Sequence, residues 1–148
     1  MQIKAEQQRG FSLLEIMVVL AILGILAALI VPNVIGANEQ AERQKAKTDI
    51  VQLESALAQY RLDNGMFPTT EQGLQALVAE PTIDPAPRNY RRNGYIRRLP
   101  QDPYGSDYLM LNPGEYSDID IFSAGPDRQP GTDDDIGNWN LDDSPSAD

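Results

Sequence analysis

The apolar positions of this chain fall into three regimes. From Gly10 to Val34, GFSLLEIMVVLAILGILAALIVPNV, nearly every side chain is apolar and Glu15 is the single charge. As a helix rising about 1.5 Å per residue, Phe11–Val31 spans roughly 30 Å, the thickness of a bilayer's hydrocarbon core. Past Asn38 the apolar positions thin to a stripe of Ala46, Ile50, Val51, Leu53, Leu57 and Tyr60, largely in steps of four and three. That is one face of an amphipathic helix. Glu39, Glu42, Arg43, Lys45, Lys47, Asp49 and Glu54 leave the other faces charged. The pattern predicts one long helix from about Phe11 to Leu62. Pro32 has no backbone N–H and should kink or locally melt it, and Gly36 weakens the same region.

In the third regime the periodicity breaks into short pieces. Asp63-Asn64-Gly65 ends the long helix, with Gly65 as its C-terminal cap. Thr69 and Gln72 have capping-box spacing and predict a short helix to about Ala79, with Leu74, Leu77 and Val78 facing inward. Pro81, Pro85 and Pro87 make an extended loop. Asp102-Pro103-Tyr104-Gly105 suits a type I turn, and Tyr108–Leu111 a strand. Asn112-Pro113-Gly114-Glu115 suits a type II turn with Gly114 at positive φ. Asp118–Phe122 alternates as an edge or half-buried strand would. Trp139 should anchor the chain's end, and the closing SPSAD is loose. The fold class is therefore α+β: a long N-terminal helix, half transmembrane and half amphipathic, packed on a small antiparallel sheet.

Charge changes this picture at two places. The net charge is −10, but residues 1–100 are near balance, whereas residues 101–148 hold 12 acids against Arg128 alone. A basic nucleic-acid footprint is absent, and the acidic end invites cations or a basic partner. The chain has no cysteine and no histidine. Disulfides, zinc sites built on those residues, and Ser-His-Asp or Cys-His catalysis are excluded. Ahead of the apolar run lies MQIKAEQQRG, short and polar, with no small-residue cleavage site after an apolar core of its own. On composition it reads as the cytoplasmic end of an uncleaved signal anchor.

Glu15 complicates that reading. An ionised side chain in a bilayer costs about 2.5–3.5 kcal/mol on insertion scales, less near the interface. It either reaches water at the interface or awaits a positive partner from another chain. A pair about 4 Å apart gains about 4 kcal/mol at an effective dielectric near 20, comparable with the burial cost.

The stretch RGFSLLEIMVVLAILGILAALIVPNV resembles the N-terminus of type IV pilins and type II secretion pseudopilins. The resemblance implies a leader of residues 1–10 removed by a prepilin peptidase after Gly10, N-methylation of the new first residue Phe11, and assembly through Glu15. In that family the matching glutamate meets a neighbour's N-terminal amine, which is largely cationic at neutral pH. The later blocks LDNGMFPTTEQGLQALV, GYIRRLPQDPYGSDYLMLNPGE and SAGPDRQPGTDDDIGNW resemble, in order, the family of major pseudopilins of type II secretion systems. Type IV pilins commonly close a C-terminal disulfide loop, which this chain cannot make.

The segment GPDRQPGTDDDIGN gathers Asp127, Asp133, Asp134 and Asp135 among glycines and prolines. Calcium takes six to eight oxygens, and a tight acidic loop offers both carboxylates and carbonyls. The loop lacks the EF-hand pattern, and magnesium fits less well. By residue type alone a solvated acidic turn is the favoured reading. The resemblance implies one calcium held by Asp127, Asp134 and Asp135, with backbone carbonyls between Phe122 and Gln129 completing the shell.

Three segments are thus expected: a leader (1–10), a transmembrane and filament-core helix (11–34), and a periplasmic globular domain (35–148) with a calcium loop at 122–136. The resemblance implies a non-enzymatic subunit anchored once in the inner membrane. It would polymerise into a periplasmic pseudopilus that drives export of folded proteins across the outer membrane. Its partners would be copies of itself, minor pseudopilins, inner-membrane secretion components, the prepilin peptidase and the lipid bilayer, with no nucleic acid. The alternatives are a type IV pilin for adhesion, motility or DNA uptake, a membrane-anchored enzyme using Asp127 and Asp134, and a calcium-binding module that never polymerises.

Overall fold

The computed structural model describes residues 11–142, with backbone alone for residues 28–35 and 37. Its elements are helix α1 (Leu13–Asn64), a short 3₁₀ helix (Leu74–Leu77), and strands β1 (Leu109–Leu111), β2 (Asp120–Ser123) and β3 (Ile136–Gly137). The strands form one sheet in the order β1-β2-β3. Both pairs are antiparallel, with Met110 opposite Ile121 and Phe122 opposite Gly137. The chain divides into two compact units, one through Glu39 and one from Gln40 onward, and α1 belongs to both.

In the first unit the described side chains from Phe11 to Leu26 are exposed, with Phe11 and Leu13 at 77% and 80%. A helix apolar on all sides and facing no protein is built for lipid or for other copies of itself. Helical backbone continues across Pro32, whose side chain lies outside the described residues. Among the described residues no helix is long and apolar enough to cross a membrane. The leader and Gly10 lie outside them.

In the second unit the amphipathic stripe is the spine of the core. Ala46, Ile50, Leu53, Leu57 and Tyr60 are buried and share one cluster with Leu74, Leu77, Tyr108, Met110, Ile121 and Ile136. Two members of the predicted pattern change sides. Val51 is 48% exposed, because it stands one residue off the Ile50 face. Asp49, placed on a charged face by its type, is buried: Tyr108 Oη donates to its Oδ2 at 2.8 Å, and Lys45 pairs with the same oxygen. Burial, then the adjacent Asp49 carboxylate, pushes the Tyr108 hydroxyl well above its usual range.

The connections are held by side chains more than by strands. Gly65, at φ 79°, caps α1 by donating its N–H to the Arg61 carbonyl at 2.7 Å, the left-handed cap its position predicts. Asn64, buried behind it, donates to the Tyr60 carbonyl and Tyr95 Oη and accepts the Asn89 N–H. The capping box forms reciprocally: Gln72 N–H donates to Thr69 Oγ1, and Thr69 N–H to Gln72 Oε1. No α-helix follows it. Gly73 turns to φ 61°, and only the four-residue 3₁₀ helix remains. The amide of Gln72 instead pins the proline loop through the Ile83 and Pro85 carbonyls.

Two further expectations are corrected. The strand predicted over Asp118–Phe122 is β2, central and buried at all four positions rather than half-buried. Its Asp120 mimics an apolar residue by being fully satisfied, accepting the N–H groups of Glu115, Tyr116 and Ser117 and the Ser117 hydroxyl. Burial alone would raise this carboxyl, but those donors outweigh it and hold it below the usual range. Gly114 is not at positive φ, and Asn112–Pro113 is a cis peptide. Glycine is needed there for room: a Cβ would stand 2.5 Å from the Ser117 carbonyl oxygen and 2.6 Å from Asp120 Oδ1.

Leu57→Ala should therefore lower unfolding free energy by roughly 2–5 kcal/mol, and Val51→Ala by no more than about 0.5 kcal/mol. Urea unfolding of the detergent-solubilised chain separates them; equal losses would contradict this core.

Candidate functional site

The acidic loop joins β2 to β3. It begins at Gly125, at φ 61°, where a Cβ would lie 2.5 Å from the Asp134 carbonyl oxygen and 2.9 Å from its Oδ2. Only glycine lets the two ends of the loop approach so closely. A turn follows, closed by Arg128 N–H donating to the Gly125 carbonyl at 3.2 Å. Arg128 itself has φ 60°, uncommon for a residue with a Cβ.

Asp127 and Asp134 are brought together: the Asp127 N–H donates to Asp134 Oδ2 at 3.1 Å. Asp127 Oδ1 accepts the Gln129 N–H at 2.8 Å, and Asp134 Oδ1 accepts the Thr132 hydroxyl. That hydroxyl, above all, holds the Asp134 carboxyl below its usual range, with the Asp127 N–H adding to it. Asp133 is exposed at the rim.

Asp135 differs. It is buried, and its Oδ2 accepts the Gly131 N–H at 2.8 Å. Its Oδ1 is buried with no hydrogen-bond partner. Burial first, then the charges of Asp134 and Asp127, push its carboxyl upward. A buried carboxylate oxygen without a donor, beside two more carboxylates, is a site deficient in positive charge. The donor set is oxygen throughout, which suits a hard cation such as calcium. Among the described residues, no group of three or more acidic side chains is already gathered as a metal cage. What the fold brings together is a hydrogen-bonded Asp127–Asp134 pair and the neighbouring orphan oxygen of Asp135.

On the far side, Asn140 Nδ2 donates to the Asp135 carbonyl, and its Oδ1 accepts the Gly137 N–H. Trp139 anchors this end as predicted: it stacks on Tyr116 at 4.3 Å, and a Cβ on Gly137 would meet its ring at 2.3 Å. The other predicted site residues belong to the other unit. Phe11 and Glu15 are exposed, and Glu15 lies in the first turn of α1, where a carboxylate suits the helix dipole.

Two family models match the chain. The model described as "Prokaryotic N-terminal methylation motif" covers residues 7–31, and "Type II secretion system (T2SS), protein G" covers residues 33–139. The chain belongs to the type II secretion system protein G family. Among its relatives, the Type II secretion system core protein G of Pectobacterium carotovorum subsp. carotovorum is 67% identical over 92% of this chain and 87% of its own. That of Vibrio cholerae serotype O1 is 58% identical over 95% and 97%. The crystal structure of the major pseudopilin from the type 2 secretion system of enterohaemorrhagic Escherichia coli superposes with a TM-score of 0.71 at 66% identity. It covers 76% of this chain and 94% of that one. The α+β, pilin-like fold and the pseudopilin resemblance read in the sequence are both established by these matches.

Residue types alone did not point to Ser123, Thr132 or Asn140. Ser123 carried one local signal, a Ser two residues before a Gly at a turn, the spacing of a hydroxyl that accepts a backbone N–H two residues on.

The Asp135 carboxyl has its folded value raised above its unfolded one. Its ionised form therefore costs stability at neutral pH, and that cost is relieved as pH falls through the raised value. In a metal chelator at pH 7, Asp135→Asn should raise the melting temperature; a lower one would contradict the repulsion.

Proposed function

We propose that this chain is a structural, non-enzymatic subunit of a type II secretion pseudopilus, anchored in the inner membrane with its globular domain in the periplasm. The observation that carries this reading is the pairing of motifs on one chain. A methylation motif at residues 7–31 runs directly into a protein G domain at residues 33–139. The exposed apolar surface of α1 supports it, since the same surface can dissolve in lipid before assembly and pack against copies afterwards.

In this reading the peptidase cuts after Gly10, and Phe11 becomes the methylated N-terminus. Glu15 then meets the amine of a neighbouring copy, so its burial cost is met only in the filament. Pro32 lets the helix bend or loosen where its upper half leaves the filament core. Minor pseudopilins and inner-membrane components would share this assembly, and a growing filament would drive export of folded proteins. Replacing Glu15 with Leu should abolish filament assembly while sparing membrane insertion and leader removal. Electron microscopy of sheared filaments, with fractionation and immunoblotting, reads both; normal filaments from Glu15→Leu would overturn the pairing.

The cofactor in this proposal is calcium, held by Asp127, Asp134 and Asp135 with loop carbonyls. It would neutralise carboxylates that otherwise repel, and supply the positive partner that Asp135 Oδ1 lacks. Binding to the folded state alone adds about 2.7 kcal/mol at a hundredfold excess over Kd. Asp134→Ala should lower secretion severalfold in calcium-poor medium while leaving membrane insertion intact. Wild-type secretion by that variant would count against the site.

A further inference from the structure

The acidic loop is tied to a second turn, remote in sequence, by a buried polar relay. Ser123 ends β2 with 0% exposure. Its Oγ accepts the N–H of Gly125 at 3.1 Å and donates to Asp102 Oδ2 at 2.8 Å. Asp102 is 2% exposed. Its other oxygen accepts the Tyr104 N–H at 3.3 Å, inside the turn that Gly105 closes on the Asp102 carbonyl at 3.0 Å.

The relay therefore reaches a loop residue that packs tightly against Asp134. Gly125 is the position where a Cβ would collide with the Asp134 backbone and carboxylate. Holding its N–H fixes the plane of the Ala124–Gly125 peptide, and with it the approach of the chain to Asp134. The same turn also lies near the loop at a second place. The Arg128 guanidinium lies against Gly105, where a Cβ would be 3.5 Å from one of its nitrogens. Arg128 is also the loop residue at φ 60°. One turn is thus tied to the loop at Gly125 and has the Arg128 side chain as a neighbour.

Burying an ionisable group and a hydroxyl at the sheet's end has a desolvation cost that two apolar side chains would avoid. What the relay supplies is alignment. We propose that Asp102 and Ser123 are positioning residues for the cation of the acidic loop. They stand outside its ligand shell and hold Gly125, and hence Asp134, at the spacing the ion needs. Such outer partners commonly change metal affinity by about 10- to 100-fold when removed. This inference rests on the calcium reading above.

The test is calcium titration calorimetry on the detergent-solubilised full chain, with melting temperature in chelator measured on each variant. Ser123→Ala and Asp102→Asn should each weaken calcium binding by at least about tenfold. Ser123→Thr keeps the hydroxyl and should stay within about threefold of wild type, on the same scale. A purely structural role gives a different pattern: Ser123→Ala would melt lower in chelator yet bind calcium with unchanged affinity, and that result overturns the proposal. Should Ser123→Ala fail to fold, Asp102→Asn decides, since it retains an acceptor for Tyr104; unchanged affinity there overturns the proposal equally. No calcium uptake by the wild-type chain would overturn the calcium reading itself and the positioning role with it.

Discussion

A sheet whose strands are three, four and two residues long closes few backbone hydrogen bonds, so the loops around it must be held by something else. Buried polar side chains do that work. Asn64 ties the helix end to the 89–95 segment, Gln72 ties the proline loop to the capping turn, Asp120 gathers four donors beneath residues 115–117, and Ser123 joins two turns. Each satisfies the donors or acceptors that irregular backbone would otherwise leave unpaired inside. The apolar stripe of α1 gives the domain its core, and these side chains give it its outline.

The acidic loop follows the same rule up to one point. Asp127 and Asp134 are tied into it by donors, but Asp135 keeps one buried oxygen without any. Elsewhere in this domain a buried carboxylate comes with its donors: Asp49 has Tyr108 and Lys45, and Asp102 has Ser123 and Tyr104. The exception lies where the charges of Asp134 and Asp127 act on a buried carboxyl. An external cation would complete the pattern, and this supports the proposal that the loop takes up calcium. The first unit shows the same logic on another scale. Its exposed apolar helix and the Glu15 carboxylate near its start are both without a partner that a single copy shows, and the proposed assembly would supply one to each.

How much of this the sequence disclosed depended on the range of the interaction involved. The long helix and its buried face were legible because a 3.6-residue period is local: Ala46, Ile50, Leu53, Leu57 and Tyr60 declare themselves. Gly65 and the Thr69–Gln72 box were legible for the same reason. Asp49 was not, since its burial depends on Tyr108, 59 residues away. The half-buried reading of β2 failed because Asp120 looks polar in sequence, and only folded donors at 115–117 make it a core residue. Gly114 was assigned a positive φ from turn statistics, whereas its real constraint is a close approach that pattern does not show. At the candidate site the acids themselves were visible. Ser123 and Asp102, which join across the fold, had no shared signature in the sequence.

The most direct test is a thermal melt of the detergent-solubilised chain in calcium and again in chelator, monitored by the near-ultraviolet signal of Trp139 beside the loop. Calcium should raise the midpoint by several degrees, since binding only to the folded state adds a few kcal/mol to a marginal stability. Midpoints that coincide in calcium and chelator would mean that Asp135 needs no ion, and the loop would revert to a solvated acidic turn.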